Sequence, residues 1–401
     1  MRILILGGGY AGLRTALDLG HAQREGALPA HTRVDVVERA PAHQLIFWLH
    51  QVATGTLSPE QARIDYHRLP LEAVGLHQAE VHAIHPDRHR VTTSAGDFDY
   101  DLLVIALGTT AALPAIPGLA EHAHTLREPD SAAALHGALE HAYTHAGQAG
   151  SPEEQARRAT VAVAGGGFTG CQLAGELAHR LPDLAARHGV PLRRVRLVLL
   201  EGQERLLPGM AACHGRAARR ILERKGVEVR TGAPLEGVSE STVTAGGDGL
   251  AYGVLAWAGG IRGPALLTDS GLALANDGRV RVDGHLRSIS HPDIRVGGDC
   301  ARREDAPGAE ATATEAIHQG RYLAGALRDE LAGHRPAAYR ASRLGLLVAL
   351  GDSDAVGTVG PLPMSGRAAG VIKNGAERTY PDTLTAAHPN PLLNPDFLRP
   401  A

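Results

Sequence analysis

The chain has 401 residues, room for two or three domains, and its 44% hydrophobic and 21% charged content is that of an ordinary globular protein. A formal net charge of −3 argues against a generally basic surface, so no nucleic-acid partner is expected. Cys171, Cys213 and Cys300 are odd in number and far apart, which speaks against a disulfide framework or a redox-active dithiol. No apolar stretch reaches about 18 residues, so no membrane-spanning helix is expected. The first strand starts directly after Met1 with no targeting pattern, and the cytoplasm is the expected compartment.

In chain order, Ile3-Leu4-Ile5-Leu6 is an apolar run suited to a strand covered on both faces. The turn Gly7-Gly8-Gly9-Tyr10-Ala11-Gly12 follows, then a helix from Leu13 to Ala22 and a strand, Val34 to Val37, ending at Glu38. Residues 47–69 read as irregular and helical by turns, and residues 79–107 as strands, with Leu102 to Leu107 the most apolar. Pro114, Pro117 and Gly118 mark a linker. A second unit then repeats the first: strand Val161 to Ala164, turn Gly165-Gly166-Gly167-Phe168-Thr169-Gly170, helix Cys171 to Leu181, and strand Arg196 to Leu200 ending at Glu201. Strands are predicted near 227–229 and 254–257, the latter closing at Ala258-Gly259-Gly260, and again at 280–282 and 294–296. Gly297-Gly298-Asp299-Cys300 precedes a long helix from Ala311 to Leu331. The tail is read as a strand from Leu344 to Leu350 and a helix from Gly366 to Tyr380. Its end carries Pro389, Pro391, Pro395 and Pro400, too many prolines for a continuous helix.

A single G-x-G-x-x-G is weak, but here both copies stand between an apolar strand and a helix, the context the motif needs. Gly7 or Gly165 permits the tight turn, Gly9 or Gly167 lets backbone approach a pyrophosphate, and Gly12 or Gly170 lets helix approach strand. The helix amino terminus then offers N–H groups and a positive dipole end to the phosphates. Glu38 and Glu201 end the second strand of each unit, placed for ribose hydroxyls, though farther from the last glycine than the usual ~20 residues. A carboxylate at Glu201 would repel a 2′-phosphate and favours NADH over NADPH; Arg205, close by in sequence, would soften that preference. No metal site is expected from the 22 histidines.

The pattern resembles the two-dinucleotide-binding (pyridine nucleotide-disulfide oxidoreductase) flavoproteins, and within them the type II, non-proton-pumping NADH:quinone oxidoreductases. The likeness runs from Met1 to Tyr380. Leu103-Val104-Ile105-Ala106-Leu107-Gly108-Thr109 and Trp257-Ala258-Gly259-Gly260 look like the family's two crossover strands. Val296-Gly297-Gly298-Asp299-Cys300 is similar to its second FAD fingerprint, and Gln51-Val52-Ala53-Thr54-Gly55 to a segment near the flavin. The resemblance implies an α/β fold of two Rossmann-like domains: an FAD domain of residues 1–115 and 265–330, an NAD domain of 120–260 inserted in it, and a small carboxyl-terminal cap of 336–401. It implies FAD held by Gly7, Gly9, Tyr10, Ala11, Gly12, Glu38, Arg39, Val81, Gly108 and Asp299. NAD(H) would be held by Gly165, Gly167, Phe168, Thr169, Gly170, Glu201 and Gly259.

The family's G-V-E-L-A-G reads here Gly170-Cys171-Gln172-Leu173-Ala174-Gly175, so a neutral Gln172 stands where a glutamate would lie near both rings, and Glu176 is expected to be an ordinary helix residue. The quinone-side A-Q-x-A-x-Q-Q-G reads Ala313-Thr314-Glu315-Ala316-Ile317-His318-Gln319-Gly320. Hydride transfer needs stacking of two rings more than it needs an acid, so no catalytic triad is expected. Glu315 and His318 are candidates for giving protons to a quinone-like acceptor, weighed against a structural role. Lys373 is expected to be exposed. The family's amphipathic carboxyl-terminal anchor is not evident, so membrane contact is expected to be weak or absent, with loose attachment to the inner face as the outer limit. A homodimer is compatible with the sequence. Two rival readings stand: a sulfide:quinone oxidoreductase, with Cys300 approaching the flavin, and a flavin/NAD-binding redox sensor.

Overall fold

A computed structural model describes residues 1–305, 311–341 and 345–385. Leu344 and the four prolines from Pro389 to Pro400 lie outside the described residues. Five segments form a parallel sheet in the spatial order Ile294–Val296, Leu102–Ile105, Arg2–Leu6, Arg33–Glu38, Gly75–Gln78. A second parallel sheet runs His124–Thr125, Val254–Trp257, Thr160–Ala164, Arg196–Leu200, Glu228–Arg230. Ile3 to Leu6 and Val161 to Ala164 lie at the centres of these sheets and are buried throughout, which is why neither run carries a polar side chain. The first sheet is completed by Ile294–Val296 only after the second is finished, so the chain leaves the first half and returns to it. The two crossings run side by side as the antiparallel pair Thr110–Ala111 and Ile261–Arg262. Each half also carries a three-stranded antiparallel sheet, Val81–His85, Arg90–Thr93, Gly96–Asp99 in one and Leu235–Val238, Thr242–Ala245, Asp248–Ala251 in the other.

Both fingerprint helices are longer than predicted. The first spans Tyr10–Arg24 and the second Phe168–Arg187, running through Pro182. Leu177, Leu181 and Leu184 of the second helix are buried in sequence, and that burial outweighs the one hydrogen bond lost at the proline. The tail is a three-stranded antiparallel sheet, Gly345–Ala349, Ala355–Val359, Leu362–Gly366, followed by helix Arg367–Thr385, which likewise continues past its predicted end through Pro381. The tail sheet stands on the second half: a Cβ on Gly175 would lie 2.4 Å from the Gly351 nitrogen, and Val348, Leu350 and Val356 join that half's core. Tyr380 and Leu384 of the tail helix join the core of the first half instead.

Near one end of the first sheet sits Asp35, its side chain wholly buried, 2.7 Å from His77 Nε2, 2.8 Å from Arg2 Nε and 2.9 Å from Arg33 Nε. Burial raises its pKa, but the hydrogen bonds from His77 and the two arginines outweigh this and hold the carboxyl below its ordinary value. Its stabilising contribution is therefore complete above the ordinary carboxylate pKa of about 4 and is lost as pH falls through the depressed value. Asp35→Asn is expected to destabilise the protein by about 2 kcal/mol at neutral pH, below the ~3–5 kcal/mol of a fully buried pair because Arg2 is partly and Arg33 largely exposed. Urea unfolding of both proteins as a function of pH checks this: the difference should shrink in acid, and a variant as stable as the parent at pH 7 would refute it.

Candidate active site

The two glycine turns share one backbone geometry. Gly7 and Gly165 have φ of 97° and 113°, and each donates its N–H to the end of the neighbouring strand, at Val37 O and Leu200 O. A Cβ on Gly12 would lie 1.9 Å from Gly7 O, and one on Gly170 would lie 1.7 Å from Gly165 O, so these glycines let helix close on strand. Glu38 Oε2 accepts the Gly8 N–H at 2.6 Å and Oε1 the Ala40 N–H at 2.8 Å. Glu201 repeats this with Gly166 at 2.6 Å and Gln203 at 2.7 Å. Each carboxylate is thus locked at its strand end, with a further lone pair on each oxygen for a ribose hydroxyl. At Gly9 and Gly167 a Cβ would meet nothing within 4 Å. Those two residues begin the helices with no side-chain cap and no acidic residue in the first turn, so their N–H groups are left for an anion. The residues present fit a dinucleotide phosphate at both turns.

A cavity of about 1130 Å³ runs from the second turn, between the halves, to the tail, ample for stacked rings. Of the residues singled out in the sequence, Gly165, Gly167, Phe168, Thr169, Gln172, Glu201, Gly259 and Asp299 line it. Gly170 sits behind the turn, in contact with Gly165 O. Asp299 follows strand Ile294–Val296, and Arg127 of the other half reaches to 3.7 Å from it; burial pushes the Asp299 pKa up, opposed by Arg127 and Arg279. Gly7, Gly9, Tyr10, Ala11, Gly12, Glu38 and Gly108 border the first turn and not this cavity. Val81 is buried in its strand, and Arg39 is exposed and paired with Glu128.

Several expectations are corrected. His318 does not line the cavity: it is buried, and burial together with nearby Arg321 pulls its pKa down to about 4, so it is neutral at pH 7 and not the imidazolium a general acid would be. Glu315 lies in a small adjoining hollow, accepting the Tyr339 hydroxyl at 2.8 Å, while Thr314 of the same turn faces the main cavity. The helix that carries them starts at Ala313, capped by Thr312. Lys373 is not exposed but lines the cavity, 2.5 Å from Glu377. Arg205 gives both guanidinium nitrogens to backbone carbonyls, of Met210 and Pro208, and is not among the cavity's lining residues. In the 51–55 segment, Val52 and Ala53 pack in the second half's core and Thr54 and Gly55 line a separate hollow; the preceding Leu49 and His50 reach the cavity. Glu176 accepts the Thr56 hydroxyl at 2.8 Å, a structural role. An H-x-x-x-H spacing does occur, His141 and His145 with rings 4.1 Å apart, but no group of three His, Cys, Asp or Glu that could hold a metal exists among the described residues.

Sequence reasoning missed Phe47, His50, Arg279, Arg302, Val359, Ile372 and Glu377, all cavity residues. No local motif marks them; tail and loop residues reach the site only through tertiary folding.

Residues 1–320 match the family described as pyridine nucleotide-disulphide oxidoreductase. The chain belongs to this family. A type II NADH:quinone oxidoreductase of Staphylococcus aureus is 30% identical over 381 residues, 93% of each chain. Among solved structures, NDH2 from Plasmodium falciparum in complex with NADH superposes with a TM-score of 0.82 at 18% identity, over 96% of this chain and 95% of that one. The sulfide:quinone oxidoreductase of the hyperthermophilic bacterium Aquifex aeolicus gives 0.78 at 18% identity, over 96% and 91%. At such identities both structures speak to the fold alone, and they agree on two Rossmann-type halves.

The two kinds of glycine separate in mutants. Gly9→Val should fold and lose FAD, Gly12→Val should destabilise the first half outright, and Gly167→Val should stay yellow yet no longer react with NADH. Absorbance at the flavin band, with and without NADH, reads all three. Flavin bleaching by NADH in Gly167→Val would refute the role of the second turn.

Proposed function

We propose that this oxidoreductase is an FAD-dependent NADH dehydrogenase that delivers electrons to a quinone-like acceptor. The observation that carries the reading is one continuous cavity joining a nucleotide turn to an apolar wall of tail residues. Hydride chemistry is the cofactors' own once they are bound. The chain's part is to hold, orient and shield. Glu201 fixes the adenosine ribose of NADH and rejects a 2′-phosphate. Gly259, Phe168 and Gln172 border the space for the nicotinamide. FAD lies from Glu38 and the first turn to Asp299, with Arg39, Val81 and Gly108 flanking it. Leu346, Val348, Val359 and Ile372 form the acceptor wall, and beside them stand the exposed apolar side chains of Val371, next to Ile372, and Leu362, the strand partner of Val359. This supports an apolar acceptor and a loose seating of these side chains against a membrane. No helix among the described residues is long and apolar enough to cross one.

The sulfide reading needs a reactive thiolate beside the flavin. Cys300 is wholly buried, held at Gly297 O and Ile105 O, and burial pushes its pKa to about 12; Cys171 is buried and raised as well. Anaerobic titration distinguishes the two: NADH should bleach the flavin and sulfide should not, and the reverse would overturn the proposal. Glu201→Ala should narrow the preference for NADH over NADPH, read as the ratio of kcat/KM values; an unchanged ratio would remove Glu201 from the ribose.

Reduction of a quinone by NADH consumes one proton beyond the hydride. Lys373 lines the acceptor wall with its ammonium held by Glu377, whereas neighbouring His50, pulled down to about 3 by burial and by Lys373, is neutral. Lys373 is the group that donates this proton. Lys373→Met should slow NADH:quinone turnover by roughly 100-fold, within the usual range for a general acid. Ferricyanide reduction, which consumes no proton at the acceptor, should be spared. Equal loss with both acceptors would refute the role.

A further inference from the structure

The carbonyl of Gly8, inside the first glycine turn, accepts two side-chain hydrogen bonds, from the Tyr66 hydroxyl at 2.9 Å and from His43 Nδ1 at 3.1 Å. His43 Nε2 lies 3.0 Å from the hydroxyl of Tyr380, on tail helix Arg367–Thr385. All three side chains are buried, His43 completely. A carbonyl only accepts, so His43 carries its proton on Nδ1, and Nε2 accepts from Tyr380. Burial holds the imidazole neutral, and its two partners select this one tautomer.

The Gly8–Gly9 peptide is trans and planar, so its C=O and N–H point in opposite directions. Two donors gripping the carbonyl aim the Gly9 N–H the opposite way, and Gly9 itself has open space beside it, where a Cβ would meet nothing within 4 Å. Polarising the carbonyl also strengthens that N–H as a donor. The second turn is held differently. Its equivalent carbonyl, Gly166 O, takes the backbone N–H of Leu207 at 2.8 Å and the Cys171 thiol at 3.3 Å, both from its own half. One turn is aimed locally; the other is aimed through a relay that ends in the tail.

We propose that His43 and Tyr380 are positioning residues of the FAD phosphate cradle, and that FAD binding and docking of the tail helix are coupled. This rests on reading the first turn as the FAD site. Coupling of this kind is reciprocal: the factor by which the docked helix tightens FAD is the factor by which FAD favours docking. The same helix supplies Lys373, Ala376 and Glu377 to the cavity wall, so FAD favours the complete acceptor wall. The nicotinamide turn has no such relay to the tail helix.

The test uses full-length protein stripped of FAD. Flavin fluorescence gives the FAD dissociation constant of wild type and Tyr380→Phe, and calorimetry gives that of NAD+ as the control for the second turn. Leaving a buried His43 nitrogen unpartnered should weaken FAD about tenfold and leave NAD+ unchanged. In the wild-type protein, FAD but not NAD+ should slow protease cleavage within residues 367–385, a readout that needs no variant. Equal FAD affinity in Tyr380→Phe, or cleavage indifferent to FAD, overturns the coupling. Failure of the wild-type protein to bind FAD at all overturns the assignment of the first turn, and the relay with it.

Discussion

At both glycine turns backbone meets backbone with no room for a single extra carbon. At Gly12 and Gly170 the intruding atom would lie within 2 Å of the carbonyl of the glycine that opens the same turn, at 1.9 Å and 1.7 Å. Only that approach lets each helix begin directly above the end of its strand, with N–H groups facing outward over an open space. The glutamate that ends the next strand closes each turn from the side. Cofactor recognition and strand–helix geometry are here the same constraint seen from two sides.

The halves carry one architecture twice but hold their turns by different means. Leu207, whose N–H secures the second turn, sits at a left-handed φ of 50°, a conformation disfavoured for leucine and sustained by complete burial of its side chain. The first turn is secured by side chains instead, Tyr66 and His43, and these bring a distant segment into the site. The tail therefore stands on the second half with its sheet and reaches the first half with its helix. A segment touching both halves closes the cavity between them, and it does so with apolar residues that no turn motif announces.

Charge is distributed to match. The Glu201 carboxylate stands at the glycine-turn end of the cavity, arginines gather around Asp299, and the tail end holds the pair of Lys373 and Glu377. The two groups picked from the quinone-side motif, Glu315 and His318, are turned out of this space because the helix bearing them packs its Gly320 face on the first fingerprint helix, which leaves Ala313, Thr314 and Ile317 toward the cavity.

The amino-acid sequence by itself determined the two strand–turn–helix units, their acids, the Asp299 segment and the family, because each is a local pattern in which neighbours in sequence are neighbours in space. Only the tertiary structure decided which face of the 313–331 helix meets the cavity, that Lys373 points inward, that Arg205 is spent on carbonyls, and that Tyr380 reaches His43 across more than three hundred residues. These depend on how separately formed layers settle against one another, and the free energy of that settling belongs to pairs of residues that no window along the chain contains together.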